Sequence, residues 1–365
     1  SGSQSATRVL KINKDDRYLS FLPLSHIAER FMVLGCSTYG CSDVSFVESL
    51  DTFGENLQTT RPTLLFAVPR IWQKFQQKVN QKLPQEKLDK LLRIPLINKL
   101  IRKKIQKGMG LDKSRMLISG ASPITLDLLQ WYKDIGFEIN EGYGMTENLA
   151  YGPALNLPGA VKIGTVGSIT AMPNTEIKIT DEGEIITRSP SLMTGYYLEP
   201  EKTAETIRDG WLHTGDKGEI DSDGYLTITG RIKDVFKTSK GKYVAPAPIE
   251  NKLINHQDIE MVCVSGAEYP APHGLLVLSD SAKKKVQDAE FTQALEESFK
   301  ALIKEVNSTL DPHEHIKFVT VVSDDWSIAN GFLTPTMKMK RDVIESNYKP
   351  HLDSWYEARK AVIWA

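Results

Sequence analysis

The segment Gly142-Tyr143-Gly144-Met145-Thr146-Glu147 places a ring, a hydroxyl and a carboxylate close together, directly after a predicted strand. Its two glycines let the backbone turn tightly and approach a ligand closely. A flat ring can stack on a base, a Thr hydroxyl can donate to a phosphate, and a carboxylate can bind Mg²⁺. Because a glycine-rich turn after a strand is more often only a turn, this segment alone does not identify a site.

A second segment with chemical potential is Thr214-Gly215-Asp216, which predicts a tight turn that ends in a carboxylate. Such a carboxylate can accept hydrogen bonds from both ribose hydroxyls of a nucleotide, as acidic residues do in nucleotide sites. Arg231 follows in the chain and could neutralise a phosphate or reach the ribose. A solvated turn and a surface ion pair are the simpler interpretations of the same residues.

The composition argues against some classes of function. The 365 residues carry a formal net charge of −1, which gives no global reason to expect a nucleic-acid partner. Cys36, Cys41 and Cys263 are too few and too scattered for a disulfide framework, so we expect reduced thiols in a cytosolic setting. No apolar run approaches the roughly 18 residues of a spanning helix, and a cytoplasmic protein is predicted.

The elements that must position these residues form an α/β pattern in three parts. Apolar strand-like runs alternate with helical stretches over residues 17–68, which is typical of a parallel sheet. Later short strands surround the turns 181–183 and 223–224, which predicts a small antiparallel β subdomain. A compact α+β pattern follows Gly230. The predicted domains are 1–160, 161–231 and 232–365.

Residues 74–107 form a strongly basic stretch, with eleven Lys or Arg against only Glu86 and Asp89. Apolar residues fall near helical spacing among these charges, namely Leu96, Ile97, Leu100, Ile101 and Ile105. This composition is that of a helix that lies peripherally on an anionic membrane surface. A solvated basic helix that packs on its own domain is an equally good interpretation.

Many segments, in this order, resemble the adenylate-forming superfamily of acyl-CoA synthetases, luciferases and peptide-synthetase adenylation domains. They are 22–30, 119–123, 142–147, 189–197, 214–216, 230–234, 240–246 and 335–341. The resemblance covers essentially the whole chain. It implies that 1–160 is the remainder of a large α/β AMP-binding domain, that 161–231 is its antiparallel β subdomain, and that 232–365 is a mobile α+β domain.

Within the superfamily, three segments look like the long-chain fatty acid–CoA ligases. These segments are 22–30, 241–246 and 333–338. Shorter-chain and aryl-acid members usually carry Ser-Gly-Lys at the last of these positions. Adenylation of another carboxylic acid, such as a medium-chain or aryl acid, is the alternative substrate class.

The resemblance implies a reaction in two halves. A fatty acid carboxylate attacks the α-phosphorus of ATP to give an acyl-adenylate and pyrophosphate, and the thiol of CoA then expels AMP. The implied partners are therefore the fatty acid, ATP and CoA, with Mg²⁺ as the metal. The protein's task in such a reaction is to position the reactants and to neutralise charge around an anionic transition state.

In the large domain, the resemblance assigns a role to each matching residue. Tyr143 and Gly144 belong to the adenine pocket, which Gly120 and Ala121 also shape. Thr146 contacts the α-phosphate and acts in catalysis, Glu147 holds Mg²⁺, and Asp216 binds the ribose with help from Arg231. His26 lies between the acyl tunnel and the carboxylate, although a half-buried histidine that caps a helix is the alternative.

In the last domain, Lys338 matches the catalytic lysine that bridges carboxylate and phosphate oxygens during adenylation. Lys340, two residues later, is the second candidate, because the departure from Ser-Gly-Lys leaves the register open. Lys233 matches the hinge about which the domain rotates. In the second state, Gly241 would line the pantetheine channel, where the neighbouring lysines suit the phosphates of CoA.

Family members also carry a Ser/Thr/Gly-rich loop that ends in Pro-Lys-Gly and wraps the β- and γ-phosphates of ATP. The 365 residues contain no such segment. From this we expect an N-terminally truncated chain that has little or no ligase activity alone. A non-catalytic fragment that only binds nucleotide is therefore the alternative from another functional class.

Overall fold

The first sheet contains six strands in the computed structural model, which describes residues 1–49, 51–334 and 337–365. The strands are β1 (Arg17–Ser20), β2 (Asp43–Phe46), β3 (Leu64–Ala67), β4 (Met116–Ser119), β5 (Ile139–Tyr143) and β6 (Ala154–Leu155). Their order is β2-β1-β3-β4-β5-β6, and all neighbours are parallel except β5 and β6. The predicted parallel sheet is confirmed.

Both faces of this sheet are buried, which explains the continuous apolar runs of its central strands. One face contributes Leu19, Leu65, Leu117 and Ile139 to a core that includes Trp72 and Tyr132. The opposite face contributes Tyr18, Leu64, Phe66 and Ile118 to a second core. Because β1, β4 and β5 run in the same direction, the loops that follow them leave the sheet at its carboxyl edge, where ligands bind in open α/β sheets.

Helices surround the first sheet. They are α1 (Gly2–Val9), α2 (Ile27–Arg30), α3 (Thr38–Gly40), α4 (Phe53–Thr60), α5 (Pro69–Lys82), α6 (Gln85–Leu92), α7 (Ile97–Gly108) and α8 (Leu126–Asp134), with a π-helical segment at Phe31–Ser37. The basic stretch thus forms α5, α6 and α7. On α7, Ile101 and Ile105 pack against the core that contains Trp72, whereas Leu96 and Leu100 are exposed. The five apolar residues therefore do not share one face.

A second sheet is antiparallel and contains β7 (Glu176–Ile179), β8 (Glu184–Arg188), β9 (Ile207–Arg208), β10 (Trp211–Ile220) and β11 (Leu226–Arg231), with α9 (Pro200–Thr206). Its order is β11-β10-β8-β7, and β9 pairs with β10. Two predicted hairpins are confirmed. The turn around Gly183 joins β7 to β8, and the turn around Gly224 joins β10 to β11.

The third region begins with a short hairpin of β12 (Phe236–Lys237) and β13 (Tyr243–Val244). A mixed sheet follows, in the order β14 (Ile259–Ser265), β15 (His273–Leu278), β16 (Val319–Val321), β17 (Val362–Trp364). Its helices are α10 (Pro246–Leu253), α11 (Asp280–Lys283), α12 (Ala289–Asn307), α13 (Arg341–Tyr348) and α14 (Leu352–Glu357). The predicted α+β pattern is confirmed.

The chain divides into two compact units, Ser1–Ile228 and Thr229–Ala365. The boundary falls within β11, close to the position that the sequence predicts at Gly230. The finer division into 1–160, 161–231 and 232–365 stays a prediction. Over the described residues, the helices are too short or too polar for any of them to cross a bilayer.

Candidate functional site

Two of the predicted nucleotide-binding residues contact each other directly. The hydroxyl of Tyr143, at the end of β5, donates a hydrogen bond of 2.7 Å to Oδ2 of Asp216. Both residues are buried, with 8% and 7% of their surfaces exposed. The Tyr143 ring packs with Ile185 and Leu226, so it forms part of a wall rather than an exposed platform. Its contact with adenine stays a prediction.

Asp216 lies in a β-bulge, and the predicted tight turn at 214–216 is wrong. The pairing of β10 with β8 shifts register between His213 and Lys217, while the strand itself continues from Trp211 to Ile220. Gly215 has a φ of +71°, which glycine adopts without strain. A bulge re-aims the side chains that follow it. Here the bulge contains Asp216, whose buried side chain accepts a hydrogen bond from Tyr143.

Glu184 on β8 stabilises the bulge through both of its carboxylate oxygens. Oε1 accepts a hydrogen bond of 2.9 Å from the backbone amide of Gly215, and Oε2 lies 2.8 Å from Nδ1 of His213. Thr214 donates its hydroxyl to the backbone carbonyl of Ile185 at 2.7 Å. These contacts fix the backbone around Asp216, so Glu184 positions the predicted ribose-binding residue.

Gly120 and Ala121 follow β4 at the carboxyl edge of the first sheet. A Cβ atom on Gly120 would lie 3.1 Å from the backbone oxygen of Gly142, so a larger residue would press on the neighbouring strand. Ala121 has a φ of +69°, in the left-handed region that non-glycine residues rarely occupy. Strained backbone of this kind clusters at ligand sites. This geometry is consistent with the predicted adenine pocket.

Thr146 and Glu147 lie in the short 3₁₀ helix Thr146–Asn148. The hydroxyl of Tyr196 donates a hydrogen bond of 2.7 Å to Oε1 of Glu147. The backbone carbonyl of Glu147 accepts from the amide of Met193 at 2.7 Å. The loop that contains Tyr196 therefore orients the predicted metal ligand, while the Thr146 side chain is exposed.

His26 caps α2, because its Nδ1 accepts a hydrogen bond of 3.2 Å from the amide of Ala28. The alternative interpretation of His26 as a half-buried capping histidine is therefore the geometry that the structure records, and its catalytic role stays a prediction. Beside this segment, a cavity of about 250 Å³ opens at the ends of β1 and β2. Its lining includes Phe21, Leu22, Leu24 and Phe46, so most of the large side chains around it are apolar.

A buried carboxyl group that sequence reasoning missed lies at the same edge of the sheet. Glu141 on β5 pairs in register with Ser119 on β4. Within the described part of the chain, Oε2 of Glu141, Oγ of Ser119 and Nδ2 of Asn140 are buried without a hydrogen-bond partner. Burial raises the pKa of Glu141 to about 8, so this carboxyl group is largely protonated at neutral pH.

In the second unit, the loop around Gly241 adjoins a basic cavity of about 340 Å³. The loop is a tight turn between β12 and β13, in which the amide of Gly241 donates to the carbonyl of Thr238 at 2.9 Å. Basic and titratable side chains line the cavity, including Lys240, Lys242, Lys317, His313 and His315. Such a cavity can bind an anionic group. Arg231, at the end of β11, is exposed.

Lys338 and Lys340 both have exposed side chains, so exposure does not choose between them. The loop that contains them is closed at its base, because the amide of Lys340 donates to the carbonyl of Phe332 at 2.9 Å. An antiparallel bridge between Leu333 and Met339 adds to this closure. Pro335 and Thr336, at the start of the predicted lysine motif, lie outside the described residues.

Arg341, directly after this loop, is a second residue that sequence reasoning left without a role. Its guanidinium contacts Oε1 of Glu250 at 2.6 Å and donates to the carbonyl of Val264 at 2.8 Å. Oδ2 of Asp234 lies 3.9 Å from its Nε. Arg341 therefore joins the base of the lysine loop to α10 and to the residue after the predicted hinge, Lys233.

The sequence contained weak signals for these missed residues. Tyr196 and Arg341 both lie inside segments that carry the family resemblance, at 189–197 and 335–341. Glu184 directly follows a hairpin turn, where an acidic residue is common on the surface. Contacts between residues far apart in the sequence decide the role of each, and a pattern of local spacing does not record them.

Comparisons with known protein families agree with this geometry. A family model described as AMP-binding enzyme matches residues 2–197, and one described as AMP-binding enzyme C-terminal domain matches residues 233–360. The first match lies within the first unit and the second match lies within the second unit.

Curated relatives are similar over almost the whole chain. The long-chain fatty acid–CoA ligase FadD15 of Mycobacterium bovis is 29% identical over 94% of this chain, which covers 63% of that protein. The human long-chain fatty acid–CoA ligase 1 is 31% identical over 95% of this chain, which covers 55% of that protein. The chain thus spans less than two thirds of the length of these relatives.

Solved structures show the same fold at lower identity. The A domain of carboxylic acid reductase from Segniliparus rugosus, in complex with AMP and a co-purified carboxylic acid, matches with a TM-score of 0.73 and 24% identity. That match covers 94% of this chain and 55% of the reductase chain. Because a family model covers more than half of its residues, the chain belongs to the AMP-binding enzymes, and its relatives at about 30% identity are long-chain fatty acid–CoA ligases.

Proposed function

We propose that this chain carries the adenylate-binding region and the lysine domain of an ATP-dependent long-chain fatty acid–CoA ligase. The observation that carries the proposal is the hydrogen bond between Tyr143 and Asp216. It joins the glycine-rich segment and the Thr-Gly-Asp segment, which lie 73 residues apart in the sequence. The contact between two motifs that are each weak evidence alone supports a single nucleotide site that includes both.

In the proposed first step, a carboxylate oxygen of the acid forms a bond with the α-phosphorus of ATP. The bond from that phosphorus to the pyrophosphate oxygen breaks, and pyrophosphate leaves. Lys338 would neutralise the negative charge that crowds the reacting phosphate, and Thr146 would donate its hydroxyl to a phosphate oxygen. In the second step, the thiolate of CoA attacks the acyl carbonyl and AMP leaves.

The residues around Glu147 fit a magnesium ion. Tyr196 uses only Oε1 of the carboxylate, and Mg²⁺ in nucleotide sites usually takes one or two protein carboxylates together with substrate phosphates. The exposed hydroxyl of Thr146 is a further oxygen beside Glu147. When bound, the ion would neutralise phosphate charge. Glu147 would hold it, and Tyr196 would orient Glu147.

A long-chain fatty acid is the proposed substrate because the names of the relatives and a cavity with several large apolar side chains in its lining support it. The cavity beside β1 and β2 contains Phe21, Leu22 and Leu24, which directly precede the Ser25-His26 pair. An acyl chain in this cavity would bring its carboxylate toward His26. Medium-chain and aryl acids are the competing class.

The second co-substrate, CoA, carries several phosphates, and the basic cavity of the second unit would attract them. Lys240, Lys242 and Lys317 supply its positive charge. Because no Ser/Thr/Gly-rich segment ending in Pro-Lys-Gly occurs in the 365 residues, we propose that the chain alone has little or no ligase activity. The cytoplasm is the proposed setting, because the three scattered cysteines offer no disulfide framework.

The first experiment measures the affinity of the chain for AMP by calorimetry. We expect the wild-type chain to bind AMP and Asp216→Ala to bind at least about tenfold more weakly, because the loss of a charged acceptor costs about 1.5–3 kcal/mol. Asp181→Ala, at an exposed hairpin turn of the same sheet, is the matched control and should bind like the wild type. Absence of AMP binding by the wild-type chain would refute the proposed site.

The second experiment uses the same preparations and measures AMP and acyl-CoA formation from ATP, CoA and a panel of acids. Binding of AMP without product supports the expectation that the chain is inactive alone. Product formation would refute that expectation, and its dependence on the acid would then identify the substrate class. A clear preference for aryl acids would contradict the assignment to long-chain fatty acids.

A further inference from the structure

The segment that begins α7 presents exposed apolar side chains among basic ones. Leu96 and Leu100 are 80% and 67% exposed, and Ile94 and Ile97 are also exposed. We define the basic tip as these four residues together with the four exposed basic residues around them, Arg93, Lys99, Lys103 and Lys104. Large aliphatic side chains in such a cluster mark an interaction surface when they lie together.

The orientation of α7 is fixed by its other face. Ile101 and Ile105 pack against the core of the first unit. The side-chain amide of Gln106 donates to the carbonyl of Ile135 at 3.0 Å, and Gln58 donates to the carbonyl of Gly108 at 2.7 Å. Rotation of the helix could not bury Leu96 and Leu100 against the core of this unit without breaking these contacts.

Leu96 is also strained. Its φ of +70° and ψ of −44° are unusual for any residue with a side chain, and it is the residue directly before the helix. A bulky apolar residue that is both strained and four-fifths exposed adds nothing to the stability of the unit. Conformational strain of this kind is concentrated at sites of function.

The charge along the segment from Lys90 to Leu111 has a single sign, whereas the neighbouring helix α6 carries Glu86 and Asp89. Arg93, Lys99, Lys103 and Lys104 are exposed beside the apolar side chains. The sequence contains no Asp or Glu from Lys90 to Leu111. A partner for this surface must therefore offer negative charge and an apolar layer together.

We propose that the basic tip docks on the surface of a bilayer that contains anionic lipid. Leu96 and Leu100 would enter the boundary between headgroups and acyl chains, while Lys99, Lys103 and Arg93 would contact lipid phosphates. A bilayer presents both chemistries in the required order, with anionic headgroups above an apolar interior. The proposal rests on the geometry of the first unit alone and does not depend on the proposed reaction.

The test measures sedimentation of the chain with vesicles of phosphatidylcholine, alone or mixed with phosphatidylglycerol. We expect binding only to the anionic vesicles and a decrease with added salt. Leu96→Ser with Leu100→Ser should weaken this binding at least about tenfold. Lys99→Gln with Lys103→Gln should weaken it about fivefold per residue replaced.

The chain offers a matched control for the apolar pair. Tyr197 and Leu198 are 89% and 81% exposed, Leu198 also has a positive φ of 56°, and Glu199 and Glu201 lie beside them. Tyr197→Ser with Leu198→Ser should bind anionic vesicles like the wild type. Equal losses of vesicle binding in the Leu96/Leu100 and Tyr197/Leu198 double variants, or no loss in either of them, would overturn the proposal.

A second measurement reports where Leu96 lies. Leu96→Cys in a Cys41→Ser background carries one reactive thiol, because Cys36 and Cys263 are buried. An environment-sensitive fluorophore at this position should shift to shorter wavelength on anionic vesicles. An unchanged spectrum would exclude insertion. A concentration-dependent dimer that Leu96→Ser with Leu100→Ser abolishes, without vesicle binding, would instead assign the surface to a second copy of the chain.

Discussion

Lys338 and Lys340 differ more in their neighbours than in their exposure. The amide of Lys338 donates to the hydroxyl of Thr334 at 3.0 Å, and its carbonyl accepts from the amide of Thr334 at 2.8 Å. Lys338 therefore belongs to the loop itself. Lys340 closes the base of the loop through its backbone and directly precedes α13.

We predict that Lys338→Ala abolishes acyl-adenylate formation and largely spares thioester formation from supplied acyl-adenylate. The reason is that the positive charge stabilises the crowded phosphate of the first step alone. The measurement is made in a chimera, in which this chain replaces the matching segment of a relative that contains the phosphate loop. Pyrophosphate exchange reports the first half-reaction, and acyl-CoA release from supplied acyl-adenylate reports the second. Lys340→Ala is the matched control, and equal loss of both half-reactions in Lys338→Ala would contradict the assignment.

At the scale of elements, Arg341 connects the lysine loop to the rest of its unit. Arg341 and Glu250 form a mostly buried pair, and their side chains are 16% and 13% exposed. Burial raises the pKa of Glu250, while the charge of Arg341 acts against that rise. Removal of Arg341 or Glu250 alone therefore leaves the other charge buried without an opposite charge, whereas removal of both does not.

We predict that Arg341→Met lowers the free energy of unfolding by about 3–5 kcal/mol, as the removal of one partner from a buried pair does. Arg341→Met with Glu250→Leu should recover most of this loss. Urea unfolding of the three chains measures the difference. Lys300→Met, which removes an exposed pair with Glu296, should leave stability nearly unchanged. A double variant as unstable as the single one would show that packing, not charge, explains the effect.

The elements show how far the sequence determines the structure. The turns predicted at 181–183 and 223–224 join β7 to β8 and β10 to β11, and the alternation over residues 17–68 forms part of the predicted parallel sheet. Turn glycines and apolar periodicity are local signals, so these predictions succeed. The bulge at Asp216 depends on Glu184, about thirty residues away, and no local pattern encodes it.

The arrangement of the site residues likewise depends on contacts that local sequence patterns do not encode. The family resemblance identified Tyr143 and Asp216 individually, and their hydrogen bond appears only in the fold. The apolar residues of α7 looked like one face because the spacing of Leu96, Ile97, Leu100, Ile101 and Ile105 fits a helix. The structure separates them, because Leu96 precedes the helix and Ile101 and Ile105 pack on the core.

At the scale of the whole molecule, the two units carry buried titratable groups of opposite behaviour. In the first unit, burial raises the pKa of Glu141 to about 8. In the second unit, burial lowers the pKa of His273 to about 4, and the ring stacks on Phe318. Both groups are therefore neutral in the folded protein near neutral pH, and the unfolded chain would ionise them at different pH values.

We predict that the contributions of Glu141 and His273 to stability respond to pH in opposite directions. Glu141 stabilises the first unit fully below about pH 4.5 and loses that effect as pH rises to 8. His273 stabilises the second unit above about pH 6.5 and loses that effect as pH falls to 4. From pH 5 to 7.5, the linkage slope gives a loss of about 3 kcal/mol from Glu141 and a gain of about 2 kcal/mol from His273.

Glu141→Gln and His273→Gln isolate these contributions, and calorimetric unfolding between pH 5 and 7.5 measures them. Glu141→Gln should gain stability over the wild type as pH rises, because the amide stays neutral. His273→Gln should remove the loss of stability at acid pH that His273 contributes. Parallel pH profiles of a variant and the wild type would show that the residue replaced does not titrate in this range.

The hydrogen bonds of Glu184 to the bulge of β10 also have a consequence for folding. A strand that slips by two residues keeps the same side chains on the same face, so hydrophobic patterning alone does not exclude that error. Glu184 contacts His213 and the amide of Gly215 together, and only one alignment of β8 with β10 satisfies both. The carboxylate therefore selects one alignment of β8 with β10, and a misaligned chain would leave Glu184 unpaired and Asp216 away from Tyr143.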